Sequence, residues 1–211
     1  MKIVVFGGTG PTGRHVVEQA LEQGMAVRVV ARTPAKLTLR HPALEVVPGD
    51  ALVAEDVARA VAGMDAVVTT LGVPYTFSPV TLYSVATGHI LAGMQAAGVR
   101  RLVGVTSGGT HPGRDPNTPW FFELLLKPII GRTLYADMRR MEALIMASET
   151  DWSILRPSRL LDAPPPGPVR LARDAYTLPG GNELSRADLA KAILETLGDD
   201  SMIGCAAAIS A

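Results

Sequence analysis

An α/β fold, a doubly wound parallel sheet forming a single domain, is the class that this sequence predicts, on three observations. Short apolar runs with the look of strands alternate with helical patterns along the whole chain. The first run feeds a glycine-rich turn and then a helix. The chain has 211 residues, which suits one such sheet with a substantial core, and no repeat or low-complexity tract interrupts the order. Together these features describe a Rossmann-type sheet spanning residues 1–211.

Taken in order, strands are expected at Ile3–Phe6, Val27–Val30, Leu44–Val47, Ala66–Leu71, Arg101–Val105 and Trp152–Leu155. Helices are expected between them at Thr12–Gln23, Ala54–Ala62, Thr81–Ala97 and Tyr135–Ser148. Ile3 to Phe6 is continuously apolar, as a central parallel strand buried on both faces must be. Leu161 to Pro168 is proline-rich and reads as a rigid loop, followed by a helix at Arg186–Leu197 and a last strand at Met202–Ile209. The segment from about 157 to 211 is too short for a domain of its own. It is expected to cap the strand ends and shape a substrate pocket.

The chemistry is most legible at residues 7–13, Gly-Gly-Thr-Gly-Pro-Thr-Gly. Gly7, Gly10 and Gly13 recur every three residues, and Gly8, Gly10 and Gly13 also satisfy G-x-G-x-x-G. Early glycines in such a turn let the backbone approach a pyrophosphate, and Gly13 lets the helix pack against the strand. N–H groups at the start of the helix then face the phosphates. The expected cradle comprises Gly7, Thr9, Gly10, Pro11, Thr12 and Gly13. About twenty residues on, the second strand runs into Ala31-Arg32-Thr33-Pro34, with no acidic residue. An acid there would bind a ribose 2′-hydroxyl, whereas arginine accommodates a 2′-phosphate, so Arg32 points to NADP(H) over NAD(H). Lys36 adds charge from the next turn. A plain surface role is the alternative for both cations.

Composition narrows the partners. Twenty Lys and Arg balance twenty Asp and Glu, which gives no electrostatic case for nucleic acid or an anionic membrane. No run approaches the length of a membrane span, and Lys2 is not followed by a signal-peptide pattern. The single cysteine, Cys205, forms no internal disulfide and sits in an apolar stretch, which fits a reducing cytoplasm and a packed role. His89 and His111 have no partner at ligand spacing, so no metal site is expected. A small-molecule electron acceptor met by a monomer is the expectation.

Ligands of such sheets bind beyond the carboxyl ends of the strands. Asp50, Leu71-Gly72, Thr106-Ser107 and Arg156-Pro157 are the residues found there. Each has a plainer alternative: Gly49-Asp50 as a turn and helix cap, Gly72 as a loop start, and Ser107-Gly108-Gly109 as a connector. Their convergence on one edge favours a site.

The chain resembles the atypical short-chain dehydrogenase/reductases, within them the NAD(P)H-binding group related to biliverdin/flavin reductases and NmrA-like proteins. The resemblance spans nearly the whole chain. It rests on the 7–13 motif, Val-Pro-Gly-Asp at 47–50, Asp-Ala-Val-Val at 65–68, Ala-Gly-Val-Arg-Arg-Leu-Val at 97–103, Thr-Ser at 106–107, Leu-Arg-Pro at 155–157 and Ser-Arg-Ala-Asp-Leu-Ala at 185–190. It implies that Thr9 to Gly13 hold the pyrophosphate, Arg32 the 2′-phosphate, Asp50 and Ala51 the adenine edge, and Gly72 the adenosine ribose. Ser107 and Pro157 would border the nicotinamide.

Many short-chain reductases pair a serine with Tyr-x-x-x-Lys, in which lysine lowers the tyrosine pKa and tyrosine donates a proton. The nearest match is Tyr135-Ala-Asp-Met-Arg139, with arginine in place of lysine and the tyrosine one residue out of register relative to Glu142. Ser107 and Tyr135 are the catalytic candidates, Tyr135 having a pocket-lining role as its alternative. Biliverdin/flavin-type reductases work without that tyrosine by positioning hydride donor against acceptor. Arg159 falls where that group has a histidine. Aromatic residues concentrate between Tyr75 and Pro79 and from Trp120 to Tyr135, where they would face a planar acceptor or bury a helix. The expected function is NADPH-dependent hydride transfer to a small planar or conjugated acceptor. The rival is a non-catalytic NADP-binding redox sensor acting through a protein partner, which the incomplete dyad favours. A sugar-nucleotide epimerase is disfavoured by the short C-terminal portion.

Overall fold

The structure is a computed structural model and describes residues 1–118, 120–164 and 167–211. Its strands are β1 (Lys2–Phe6), β2 (Ala26–Ala31), β3 (Leu44–Pro48), β4 (Ala66–Thr69), β5 (Arg101–Val105), β6 (Asp151–Pro157), β7 (Arg159–Leu161), β8 (Arg170–Arg173), β9 (Glu183–Ser185) and β10 (Cys205–Ser210). Eight of them form one sheet in the order β3-β2-β1-β4-β5-β6-β10-β8. It is parallel throughout except for β8, which runs antiparallel to β10 at the edge. The short strands β7 and β9 pair with each other as a separate parallel ribbon.

Helices α1 (Pro11–Glu22) and α6 (Arg186–Leu197) cover one face of the sheet. Helices α2 (Ala54–Val61), α3 (Leu82–Ala97) and α5 (Arg132–Met146) cover the other, and α4 (Lys127–Ile129) is a single turn before α5. The apolar run of β1 divides between the two cores: Ile3 and Val5 point towards α1 and α6, Val4 and Phe6 towards α2 and α3. A strand with both faces covered must be apolar at every position, and β1 is.

Several boundaries differ from the sequence reading by one to three residues, and three of them have a clear cause. The fourth strand stops at Thr69 rather than Leu71. There Thr70 donates its N–H to the Phe6 carbonyl at 2.8 Å and turns the chain against the end of β1. The last strand begins at Cys205 rather than Met202, because Asp200–Met202 forms a 3-10 turn capped by Asp199 and Gly204 takes a positive φ of 71°. Helix α5 starts three residues earlier than expected, at Arg132, after Gly131. The expected 161–168 loop is entered from β7, which ends on Leu161. Pro165 and Pro166 of that loop lie outside the described residues.

The opening of α3 is held by a residue of another helix. Asp137 of α5, fully buried, accepts the N–H groups of Tyr83 and Ser84 at 2.8 and 3.3 Å together with the Ser84 hydroxyl. A carboxylate at a helix N-terminus meets orphan donors and the positive end of the dipole. It fixes α5 against α3, and with them the loop that follows β4.

Candidate functional site: a dinucleotide crevice and its adjoining cavity

The strand order reverses between β1 and β4, and the crevice opens at that switch point. Gly7 leaves β1 with φ at +92°, and a Cβ there would sit 2.6 Å from the Thr70 carbonyl group. A Cβ on Gly13 would fall on the Gly7 carbonyl, and one on Gly8 would lie 2.8 Å from Val29. These three glycines serve close packing. Gly10 differs: a Cβ there meets only the Gly7 oxygen, at 3.2 Å. Gly72 meets nothing within 4 Å. Space is therefore left along the crevice where backbone can meet phosphate and ribose.

Donors face that space. Gly10 N–H is paired to the Gly7 carbonyl at 2.9 Å, Pro11 has no N–H, and Arg14 N–H is paired to the Gly10 carbonyl at 3.0 Å. Among the described residues the N–H groups of Thr12 and Gly13 have no partner, and no side chain caps the turn. This helix start fits a pyrophosphate, which would be held by Thr9 to Gly13.

Arg32 is the first residue after β2 and is exposed at the rim, as is Lys36 in the 3-10 turn Pro34–Lys36. Asp50 caps its own turn, its Oδ1 accepting the Leu52 N–H at 3.0 Å while its N–H donates to Asp56 at 2.9 Å. The Asp50 side chain thus closes a turn, while the residue capping α2 is Val53. Ala51 is buried, and its carbonyl lies 3.2 Å from His89 Nδ1. Leu71 and Gly72 follow the Thr70 turn beside Gly7.

At the ends of β5 and β6 lies a cavity of about 760 Å³, reached from the crevice side by Val73, the residue after Gly72. Thr106, Ser107, Tyr135 and Pro157 all line it, together with Tyr75, Tyr83, Phe121 and Phe122. Ser158, Arg159, Asn182, Glu183 and Arg186 supply its polar side from the C-terminal segment. Ser107 Oγ accepts the Gly109 N–H at 3.1 Å and so caps the turn that carries it. Tyr135 is buried with its hydroxyl 2.7 Å from that of Tyr75. Burial pushes the Tyr135 phenol well above the usual tyrosine range; Tyr75 adds to the effect, and the Ser107 hydroxyl opposes it. Arg139 does not line the cavity. On that turn of α5 the cavity residue is Met138.

Beneath Ser107 lies a buried ion pair that sequence reasoning passed over. Arg156 of β6 grips Glu142 of α5 with two bonds, Nε to Oε1 at 3.0 Å and Nη2 to Oε2 at 2.8 Å. The hydroxyls of Thr106 and Thr110 donate to the same Oε1 at 2.7 and 3.1 Å. The guanidinium also stands 3.9 Å from the centre of the Tyr176 ring and donates to the Ala175 carbonyl at 3.1 Å. Every bond of the pair is to a residue flanking the cavity, so its effect is to fix the Ser107 turn and the 175–177 loop. Arg156 and Glu142 were visible as a strand end and a register mark, but their pairing joins α5 to β6 and has no local signal.

The aromatic stretch divides. Phe121 and Phe122 line the cavity and Phe122 packs edge-on against Tyr135 at 6.1 Å, but Trp120 is 64% exposed and Phe77 78%. Neither expected role describes those two. Among the described residues no helix is long and apolar enough to cross a membrane.

A sheet of this order with a glycine turn at its switch point defines a dinucleotide-binding protein. The family model described as NAD(P)H-binding matches residues 7–200, and the chain belongs to that family. It is 30% identical over 207 residues to an uncharacterized chloroplastic protein of Arabidopsis thaliana, covering 93% of this chain and 71% of that one. It is 35% identical over 113 residues to a 3-beta-hydroxysteroid dehydrogenase of Mycolicibacterium neoaurum, covering 48% of this chain and 31% of that enzyme. Among solved structures, the oxidoreductase ylbE of Lactococcus lactis matches with a TM-score of 0.82 at 19% identity, over 100% of this chain and 90% of that one. A Veillonella parvula short-chain dehydrogenase/reductase in complex with NADP matches with a TM-score of 0.80 at 17% identity, over 100% and 94%. At these identities the solved structures speak for the fold.

Proposed function

We propose that this chain is an NADPH-dependent reductase that passes hydride to a small planar or conjugated acceptor such as a flavin, a quinone or a linear tetrapyrrole. The observation that carries the reading is the cavity of about 760 Å³ beside Ser107, walled by Tyr75, Phe121, Phe122 and Tyr135. Its size and mixed aromatic and polar lining suit a ligand of that class. Gly10, Thr12 and Gly13 would hold the pyrophosphate, with Arg32 and Lys36 at the adenosine 2′-phosphate. When bound, NADPH supplies the hydride. The Ser107 hydroxyl polarises the nicotinamide carboxamide or the acceptor, and the aromatic walls hold the acceptor in place, so that catalysis comes chiefly from placement. A monomer acting in the cytoplasm is part of this reading.

The redox-sensor reading draws support from one feature, Met138 rather than a cation on the cavity-facing turn of α5. One assay separates the two. Purified protein is mixed with NADPH and a panel of free flavins, quinones and linear tetrapyrroles, and cofactor oxidation is followed. Acceptor-dependent oxidation supports the reductase. Its absence across the panel, with NADPH altering affinity for a captured protein, replaces it with the sensor.

A further inference from the structure

Arg14 follows the third glycine and is exposed at the start of α1. Its guanidinium bridges the two turns that frame the adenosine end of the crevice. Nε donates to the Thr9 carbonyl in the glycine turn at 3.1 Å. Nη2 donates to the Lys36 carbonyl, in the turn just after Arg32, at 2.6 Å. A guanidinium carries five N–H donors on a planar fork, so donors remain on its outer edge after these two bonds. Among the described residues none of the ion pairs involves Arg14, Arg32 or Lys36. Arg14 thus reaches the turn that carries Lys36 and follows Arg32, and among the described residues no carboxylate is paired to any of the three cations. A dianionic phosphate is the chemistry that such a rim recognises, through charge-assisted and bidentate bonds.

We propose that Arg14 is a specificity-determining residue for the 2′-phosphate, acting with Arg32 rather than as a strap between loops alone. The inference rests on the NADPH reading above and adds a residue to it. A strap would support both cofactors equally, because it only holds the walls of the crevice. A phosphate ligand affects only the nucleotide that carries the 2′-phosphate.

The test is calorimetric titration at fixed ionic strength with 2′,5′-ADP and with 5′-AMP, on the wild type and on Arg14→Gln, Arg14→Lys and Arg32→Ala, with circular dichroism confirming the fold of each. The wild type should bind 2′,5′-ADP at least about tenfold more tightly than 5′-AMP. Arg14→Gln should lose about tenfold in 2′,5′-ADP affinity while 5′-AMP stays within about twofold, and Arg14→Lys should recover part of the loss. Equal weakening of both nucleotides by Arg14→Gln, or no change in either, overturns the assignment. A preference kept in Arg14→Gln but lost in Arg32→Ala overturns Arg14 and leaves the NADPH reading standing. Equal affinities in the wild type overturn both.

Discussion

The hydroxyls of Tyr75 and Tyr135 meet at 2.7 Å across the cavity, joining the loop after β4 to helix α5. The two rings stand edge to face, with centroids 6.3 Å apart. Tyr135 is buried while Tyr75 is 52% exposed, so the bond runs from the cavity wall towards solvent.

Tyr135 is badly placed to act as a strong acid. Burial raises its pKa, and no cation stands on the cavity-facing turn beyond it to reverse that. Tyr135→Phe is therefore expected to lower turnover less than about tenfold, whereas removing a true general acid costs about a hundredfold or more. Ser107→Ala should cost more than Tyr135→Phe. A steady-state comparison of both variants with one acceptor checks the order.

The raised phenol also fixes a pH expectation. A folded-state pKa above the unfolded value of about 10 gives stability that is complete below pH 10 and is lost as pH rises through the folded value. Tyr135→Phe should therefore flatten the fall of melting temperature above about pH 10. Parallel melting curves for variant and wild type at every alkaline pH would contradict this.

Gly10 and Gly13 are equivalent in the motif but not in the structure. Gly10 has φ −77° and ψ 169°, backbone that any residue adopts, and its missing Cβ would meet only the Gly7 carbonyl oxygen, at 3.2 Å. Gly10→Val should fold normally and lose at least about tenfold in NADPH affinity, since its side chain would occupy the phosphate space. Gly13→Val should lose stability as well, because its Cβ would overlap the Gly7 carbonyl. Circular dichroism and calorimetry on both variants test the distinction.

The Glu142–Arg156 pair is expected to act on stability. With Arg156 3% and Glu142 4% exposed, Glu142→Leu would strand a buried guanidinium, at about 3–5 kcal/mol. Replacing both partners with apolar residues of similar volume should cost less. Urea unfolding of the single and double variants measures the difference.

Much of this arrangement could be read from the chain, for physical reasons that vary with position. β1 and its glycine turn were legible because each signal is local: a doubly buried strand must be apolar throughout, and a turn packed against Thr70 tolerates only glycine at residue 7. The end of β4 and the start of β10 were not, because pairing of Thr70 with the Phe6 carbonyl stops the first and the Asp200–Met202 turn with Gly204 delays the second. The place of Arg32 just after β2 was legible by its distance from the motif, and its proposed role rests on that place. Arg14 was not, because its meaning lies in a carbonyl 22 residues away. The buried Glu142 and Arg156 looked like unrelated charges until α5 and β6 came together. Trp120 and Phe77 show the opposite error, since aromatic composition alone did not tell cavity wall from surface.

The most direct test of the central claim is hydride transfer itself, measured with NADPH deuterated at one or the other C4 position under single-turnover conditions with a flavin or quinone acceptor. The proposed reductase should oxidise NADPH only when acceptor is present, and one of the two deuterated isomers should react more slowly than the other, because a nicotinamide held from the glycine turn would offer a single face to an acceptor in the cavity. Tight binding of NADPH with no acceptor-dependent oxidation from either isomer would contradict the account.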